Sequence, residues 1–155
     1  MSSFFERVIL FVATGAYSGY SPIAPGTAGT LVGIGIYLII YNPNPFIYTT
    51  ILLFLFFLAV LISDKAEKIL LENDSKHIVI DEIFGFIVTM AFVPGSLLYI
   101  VLGFLFFRVF DILKIFPVNF FDKRVKGGYG IVLDDLFAGI YANLLLQGIR
   151  FFSVN

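Results

Sequence analysis

Phe46-Ile47-Tyr48-Thr49-Thr50-Ile51-Leu52-Leu53-Phe54-Leu55-Phe56-Phe57-Leu58-Ala59-Val60-Leu61-Ile62 carries no charge over its 17 residues. Wound as a helix it spans about 26 Å, enough for a thin or locally adapted bilayer. The chain around it has the same character. Of its 155 residues 59% are hydrophobic and 14% are charged, 20 are phenylalanine, and the mean hydropathy is +0.99. A soluble domain carries about 25% charged residues. We read residues 1–155 as a single all-α domain, a polytopic membrane helical bundle.

Five further apolar stretches flank the first: Phe4–Tyr17, Ala28–Tyr41, Ile83–Pro94, Leu97–Leu113 and Leu136–Phe152. Several are short of the ~20 residues a spanning helix needs. The expectation is therefore about six segments, some of them re-entrant or interfacial. Glu6 and Arg7 interrupt the first, and no clear cleavage site follows, so it reads as a mature helix rather than a signal peptide. Gly15/Gly19 and Gly29/Gly33 put small residues at spacing four, which lets helices approach closely. Ser63–Asn73 reads as a surface helix capped by Ser63 or Asp64.

The connectors separate into two kinds. Asn42–Pro45 and Pro94–Ser96 hold no charge, whereas Ser63–Glu82 and Lys114–Asp135 are long and charged. If all six segments cross, Ser18–Thr27 and both charged connectors share one face. Eight of the ten basic residues, all but Arg7 and Arg150, lie in or beside it. The positive-inside rule makes that face cytoplasmic, and a bacterial cytoplasmic (inner) membrane is the expected location. The net charge of −1 offers no basic surface for nucleic acid. With no cysteine there is no disulfide, zinc–thiolate site or thiol nucleophile, and His77 is the single histidine.

Four stretches could carry chemistry on that face. Gly127-Gly128-Tyr129-Gly130-Ile131-Val132-Leu133-Asp134-Asp135 leads a glycine-rich run into two adjacent acids at the mouth of the last apolar segment. Ionised carboxylates resist leaving water, so something must compensate them. Asp81-Glu82-Ile83-Phe84-Gly85 repeats the arrangement. A helix N-terminus favours one acid there, but two point further, to a hard cation such as Mg²⁺ or Ca²⁺. His77 reads as solvated or interfacial rather than as a ligand. Pro25-Gly26-Thr27-Ala28-Gly29-Thr30 is either an ordinary Pro-Gly helix start, with Thr27 as cap, or a phosphate cradle of free N–H groups. Arg108, Asp111 and Lys114 recur every three residues on one side of a helix, with a surplus of positive charge that favours an anionic ligand. In Asp122-Lys123-Arg124-Val125-Lys126 the three basic residues anchor to anionic headgroups or attract one towards the acids.

These motifs together resemble the phosphatidylglycerophosphatase A family. The resemblance rests on Ser21–Thr30, Ile78–Gly85, Phe107–Lys114, and Asp122–Gly139 with Tyr141-Ala142, in family order from Ser18 to Ala142. Ile115 stands where the family usually has proline, and Ile23 where it commonly has a basic residue. The resemblance implies a membrane-bound, Mg²⁺-dependent phosphatase that converts phosphatidylglycerophosphate to phosphatidylglycerol and phosphate. It also implies an all-helical fold.

Given that reaction, the sequence lacks a cysteine nucleophile, the two histidines of histidine-nucleophile phosphatases, and an Asp-x-Asp motif. Attack by a metal-activated water remains. Asp81, Glu82, Asp134 and Asp135 are the expected metal ligands, and Asp111 joins them or acts as base or orienter. Arg108, Lys114, Lys123, Arg124 and Lys126 are expected to bind phosphates, with Asp122, Gly127 and Gly128 beside them and Pro25, Gly26, Thr27, Gly29 and Thr30 supplying the loop. Asp81 and Asp135 rank first, because Gly85 and Gly139 one turn on leave room for an ion or headgroup. Asp134 and Glu82 are caps, supporting residues or ligands of a second metal. The competing classes are a small ion-coupled transporter, or another metal-dependent phospholipid-headgroup enzyme. Oligomeric state is not legible.

Overall fold

The computed structural model describes residues 3–116 and 125–154. Among them the secondary structure is helical, with no strand: α1 (Phe4–Ala13), α2 (Pro25–Ile40), α3 (Pro45–Leu70), α4 (Ile80–Thr89), α5 (Leu97–Leu113) and α6 (Gly128–Val154), plus a 3₁₀ turn at Ser18–Tyr20. Local chemistry sets the starts. Ser3 and Glu6 form a reciprocal capping box on α1. Asn44 Oδ1 accepts the Phe46 N–H at 2.9 Å, just ahead of α3, whose first residue is Pro45.

The helix set corrects two expectations. Ser63–Asn73 is not a separate surface helix, because α3 runs unbroken to Leu70. Its buried residues Ala59, Ser63 and Ala66 recur at spacings of four and three, so one face stays in contact while its opposite side turns polar. Gly15 and Gly19 lie in the turns after α1 rather than on a helix. Among the described residues, two of the six α-helices, Pro45–Leu70 and Gly128–Ser153, are long and apolar enough to cross a membrane by length and composition. α1 and α4 have 10 residues each, about 15 Å of helix, half of a hydrocarbon core.

α4 is short because it is the core. Eight of its ten residues are buried, and α2, α3, α5 and α6 surround it. Its crossing with α6 depends on two glycines. A Cβ on Gly139 would meet the Gly85 carbonyl, and one on Gly85 would meet the Asp135 carbonyl and the Phe107 ring. The space above these glycines is thus filled by the facing backbone, not left open for an ion as the spacing implied. On the outside, Phe46, Leu53, Phe54, Phe57 and Leu61 of α3 are exposed, an apolar surface that a bilayer would cover.

Below Thr89 the chain leaves the helix inside the bundle, and α6 supplies the missing donors. Asn143 Nδ2 donates to the Thr89 and Ala91 carbonyls, both at 2.8 Å. Gln147 Nε2 donates to Ala91 O at 3.1 Å, and Arg150 Nη1 to Phe92 O at 2.8 Å. Non-helical backbone is tolerated at such depth only when protein groups satisfy it. Leucine at Gly139 should force α4 off α6 and destabilise the fold by about 1–3 kcal/mol. Leucine at Gly148, whose Cβ would meet nothing within 4 Å, should be neutral. Thermal unfolding in detergent, followed by circular dichroism, compares the two.

Candidate active site

Helix direction gathers the chemistry at one end. α2, α4 and α6 begin there, and α1, α3 and α5 finish there. The Val79 N–H binds the Ala13 carbonyl at 2.9 Å, Gly26 abuts Glu82 and Arg108, and Gly128 abuts Val60 and Asp64. The Gly85–Gly139 crossing sets the first turn of α4 beside the second turn of α6.

Asp81, Glu82 and Asp135 therefore meet. One carboxylate oxygen from each lies within 4.8 Å of the others. Asp135 is only 3% exposed. Asp81 Oδ1, Glu82 Oε2 and Asp135 Oδ2 are buried and have no hydrogen-bond partner. Burial, then the charges of Glu82 and Asp135, push the Asp81 carboxyl well above the usual carboxylate range, and burial raises Glu82 as well. Three orphaned hard oxygens with one focus fit an oxygen-seeking divalent cation such as Mg²⁺, and these three residues would hold it.

Asp134 stands apart. Its Oδ2 is 3.2 Å from Lys114 Nζ, and its Oδ1 accepts the Asp135 N–H at 3.0 Å. Neighbours on a helix diverge by about 100°, so the adjacent acids have separate surroundings. Arg108 and Asp111 face each other at 2.7 Å, each 16% exposed, and Arg108 Nε has no hydrogen-bond partner.

Gly26 joins α2 to this corner. A Cβ there would run into Glu82 Oε1 and come within 3.1 and 3.2 Å of the Arg108 guanidinium nitrogens. α2 starts at Pro25, so Thr27 lies within the first turn rather than at the cap. Thr30 Oγ1 binds its own helix at Gly26 O, 2.8 Å away, and Gly29 packs on Val79. Of that loop, Gly26 is the residue set against the acids. Gly128 is buried against α3, while Lys126 and Gly127 line a polar recess beside Asp134. Asp122, Lys123 and Arg124 lie outside the described residues. His77 Nδ1 is 2.9 Å from Gly19 O and its ring stacks on Tyr20, holding the turn ahead of α2 against the entry to α4.

The donors Asn143 and Gln147, which fix α4 along α6, escaped the motif reading. Their signal was present as polar residues at spacing four in an otherwise apolar helix. Of the residues that wall the recess, Glu67 and Asn73 fall in the expected surface helix Ser63–Asn73 and Asp74 in the charged connector after it.

A family model described as phosphatidylglycerophosphatase A matches residues 11–150. Over 150 residues the chain is 36% identical to phosphatidylglycerophosphatase A of Haemophilus influenzae, covering 94% of this chain and 91% of that protein. It is 34% identical over 131 residues to phosphatidylglycerophosphatase A of Escherichia coli, covering 83% and 76% respectively. It is also 34% identical over 149 residues to a Bacteroides thetaiotaomicron protein named "Putative phosphatidylinositol-3-phosphatase", covering 91% and 92%. No solved structure matches the chain. With the match running over nearly its whole length, the chain belongs to the phosphatidylglycerophosphatase A family.

Proposed function

We propose that this chain is a Mg²⁺-dependent lipid phosphatase that hydrolyses the terminal phosphomonoester of phosphatidylglycerophosphate. Family membership makes it a phosphoric monoester hydrolase. The observation that carries the metal-dependent reading is the convergence of Asp81, Glu82 and Asp135, with an unpartnered buried oxygen on each. When bound there, a divalent ion supplies neutralisation of phosphate charge and acidification of a water molecule.

The chain's own groups divide the remaining work. Arg108 and the N-terminal N–H groups of α2, brought together at Gly26, bind the phosphoryl oxygens. Asp111 orients the Arg108 guanidinium and accepts the proton of the attacking water. The water oxygen bonds to phosphorus as the P–O bond to glycerol breaks. The glycerol oxygen leaves with a proton from solvent, giving phosphatidylglycerol and inorganic phosphate. Lys114, paired with Asp134, keeps a positive charge beside the site.

Phosphate release from phosphatidylglycerophosphate in detergent, with and without Mg²⁺, tests the reading. Release should require Mg²⁺, and Asp135→Asn and Asp81→Asn should each lower kcat by at least about 100-fold. Full Mg²⁺-dependent turnover by either variant would overturn the assignment of the acids. Gly26→Val should cut kcat/KM by more than about tenfold while leaving the helical content intact, because its side chain displaces Glu82 and Arg108.

We place the site at the cytoplasmic face of a bacterial inner membrane. Support comes from charge: apart from Glu6, Arg7 and Arg150, the charged residues fall between Asp64 and Asp135 in the sequence. A cysteine introduced at Asn44 should react with an impermeant reagent from outside intact cells. One at Lys76 should react only after permeabilisation, and equal labelling of both would refute the orientation.

A further inference from the structure

The last two turns of α5 and its cap carry Arg108, Asp111 and Lys114. Lys114 ends the helix in the left-handed region, at φ 43°, a conformation that a residue with a side chain adopts only at a cost. Around it the side chains of Ile112, Leu113, Ile115 and Phe116 are exposed, so their burial does not hold this turn in place. Tyr141 of α6 does. Its hydroxyl donates to the Phe116 carbonyl at 2.7 Å. Its ring also packs on Phe110, one turn before Lys114, with ring centroids 5.6 Å apart.

Lys114 lies between these two contacts, with its Nζ 3.2 Å from Asp134 Oδ2. Asp134 and Tyr141 are seven residues apart on α6, nearly two full turns, so both address α5 from one stripe. The carboxylate takes the ammonium, and the phenol takes the carbonyl two residues further on. A lysine has a flexible four-carbon stem, and on an unfastened turn its ammonium would sample positions away from the acids.

Resting on the phosphatase reading above, we infer that Tyr141 is a positioning residue: its hydroxyl fixes the backbone beyond α5 so that the Lys114 ammonium stays on Asp134, beside the three acids. Six residues of α6, about 9 Å of helix, separate Tyr141 from Asp135, so the phenol acts through Lys114. A charge held in place beforehand stabilises developing negative charge without reorganisation, whereas a mobile one has to be reordered in every turnover. The effect therefore falls on kcat more than on KM.

The test is a double-mutant cycle on phosphatidylglycerophosphate in mixed micelles with Mg²⁺, using Tyr141→Phe, Lys114→Met and the two combined. Phenylalanine keeps the ring on Phe110 and removes only the hydroxyl. Tyr141→Phe should lower kcat by about five- to tenfold, with KM within about twofold and the thermal midpoint unchanged. In the Lys114→Met background it should cost less than about twofold, because the group it positions is gone. A second readout needs no turnover: acylation of the Lys114 amine, followed by mass spectrometry. It should run about threefold faster in Tyr141→Phe than in the unaltered protein, since a carboxylate partner favours the unreactive ammonium form. The same fold loss of kcat in both backgrounds, an undiminished kcat in Tyr141→Phe, or unchanged Lys114 labelling would each overturn the inference. If Lys114→Met alone abolishes turnover, the labelling rate decides. Absence of Mg²⁺-dependent phosphate release by the unaltered enzyme would overturn the phosphatase reading itself, and labelling would still report whether Tyr141 places Lys114.

Discussion

Three carboxylates share one corner because two helices cross with no side chain between them. Where α4 passes α6, Gly85 and Gly139 place backbone against backbone, and the acids one turn above each glycine are carried inward together. Acids forced that close in a buried place are unstable as bare ions, so the crossing leaves their charge to be offset by protons or by a bound cation. The fold thereby stores a local electrostatic deficit that binding can relieve. Other features of the site follow from this contact, including the position of Arg108 over the same corner and the approach of α2 through Gly26.

The two ends of the molecule are built on different principles. The end holding the acids is a cluster of charges in which Asp111 orients Arg108 and Lys114 orients Asp134. The far end is aromatic and nearly uncharged, with Tyr41, Tyr48, Phe92 and the prolines of the two turns. Such a division suits a protein whose substrate arrives laterally, since the lipid keeps its tails in hydrocarbon while only its headgroup has to enter a polar site.

Much of this was legible in the residues. The apolar segments gave the all-helical class, and the acid pairs at Asp81-Glu82 and Asp134-Asp135 marked the two elements that meet. That both acids of the first pair but only Asp135 of the second meet was harder, because helix phase at a terminus depends on where the helix starts. α6 starts at Gly128, well before the apolar run at Leu136, and that sets Asp135 toward α4 and Asp134 toward Lys114. The length of α3 was misread because a change from apolar to amphipathic composition resembles a boundary, although its buried face continues through Ser63 and Ala66. The reading of Gly85 and Gly139 as vacant space failed for a similar reason: a glycine leaves room, and only the tertiary structure says what fills it.

The amide ladder of α6 has a consequence for how the chain matures. Asn143, Gln147 and Arg150 complete the carbonyls left open where α4 ends, yet they are synthesised more than fifty residues after them. Without those residues the buried backbone following Thr89 lacks these donors, so α4 is not fully seated on its own. α6 is thus the helix that seats the first acid pair and brings Asp135 to it. Without α6 the chain has neither the contacts that settle α4 nor Asp135 beside Asp81 and Glu82.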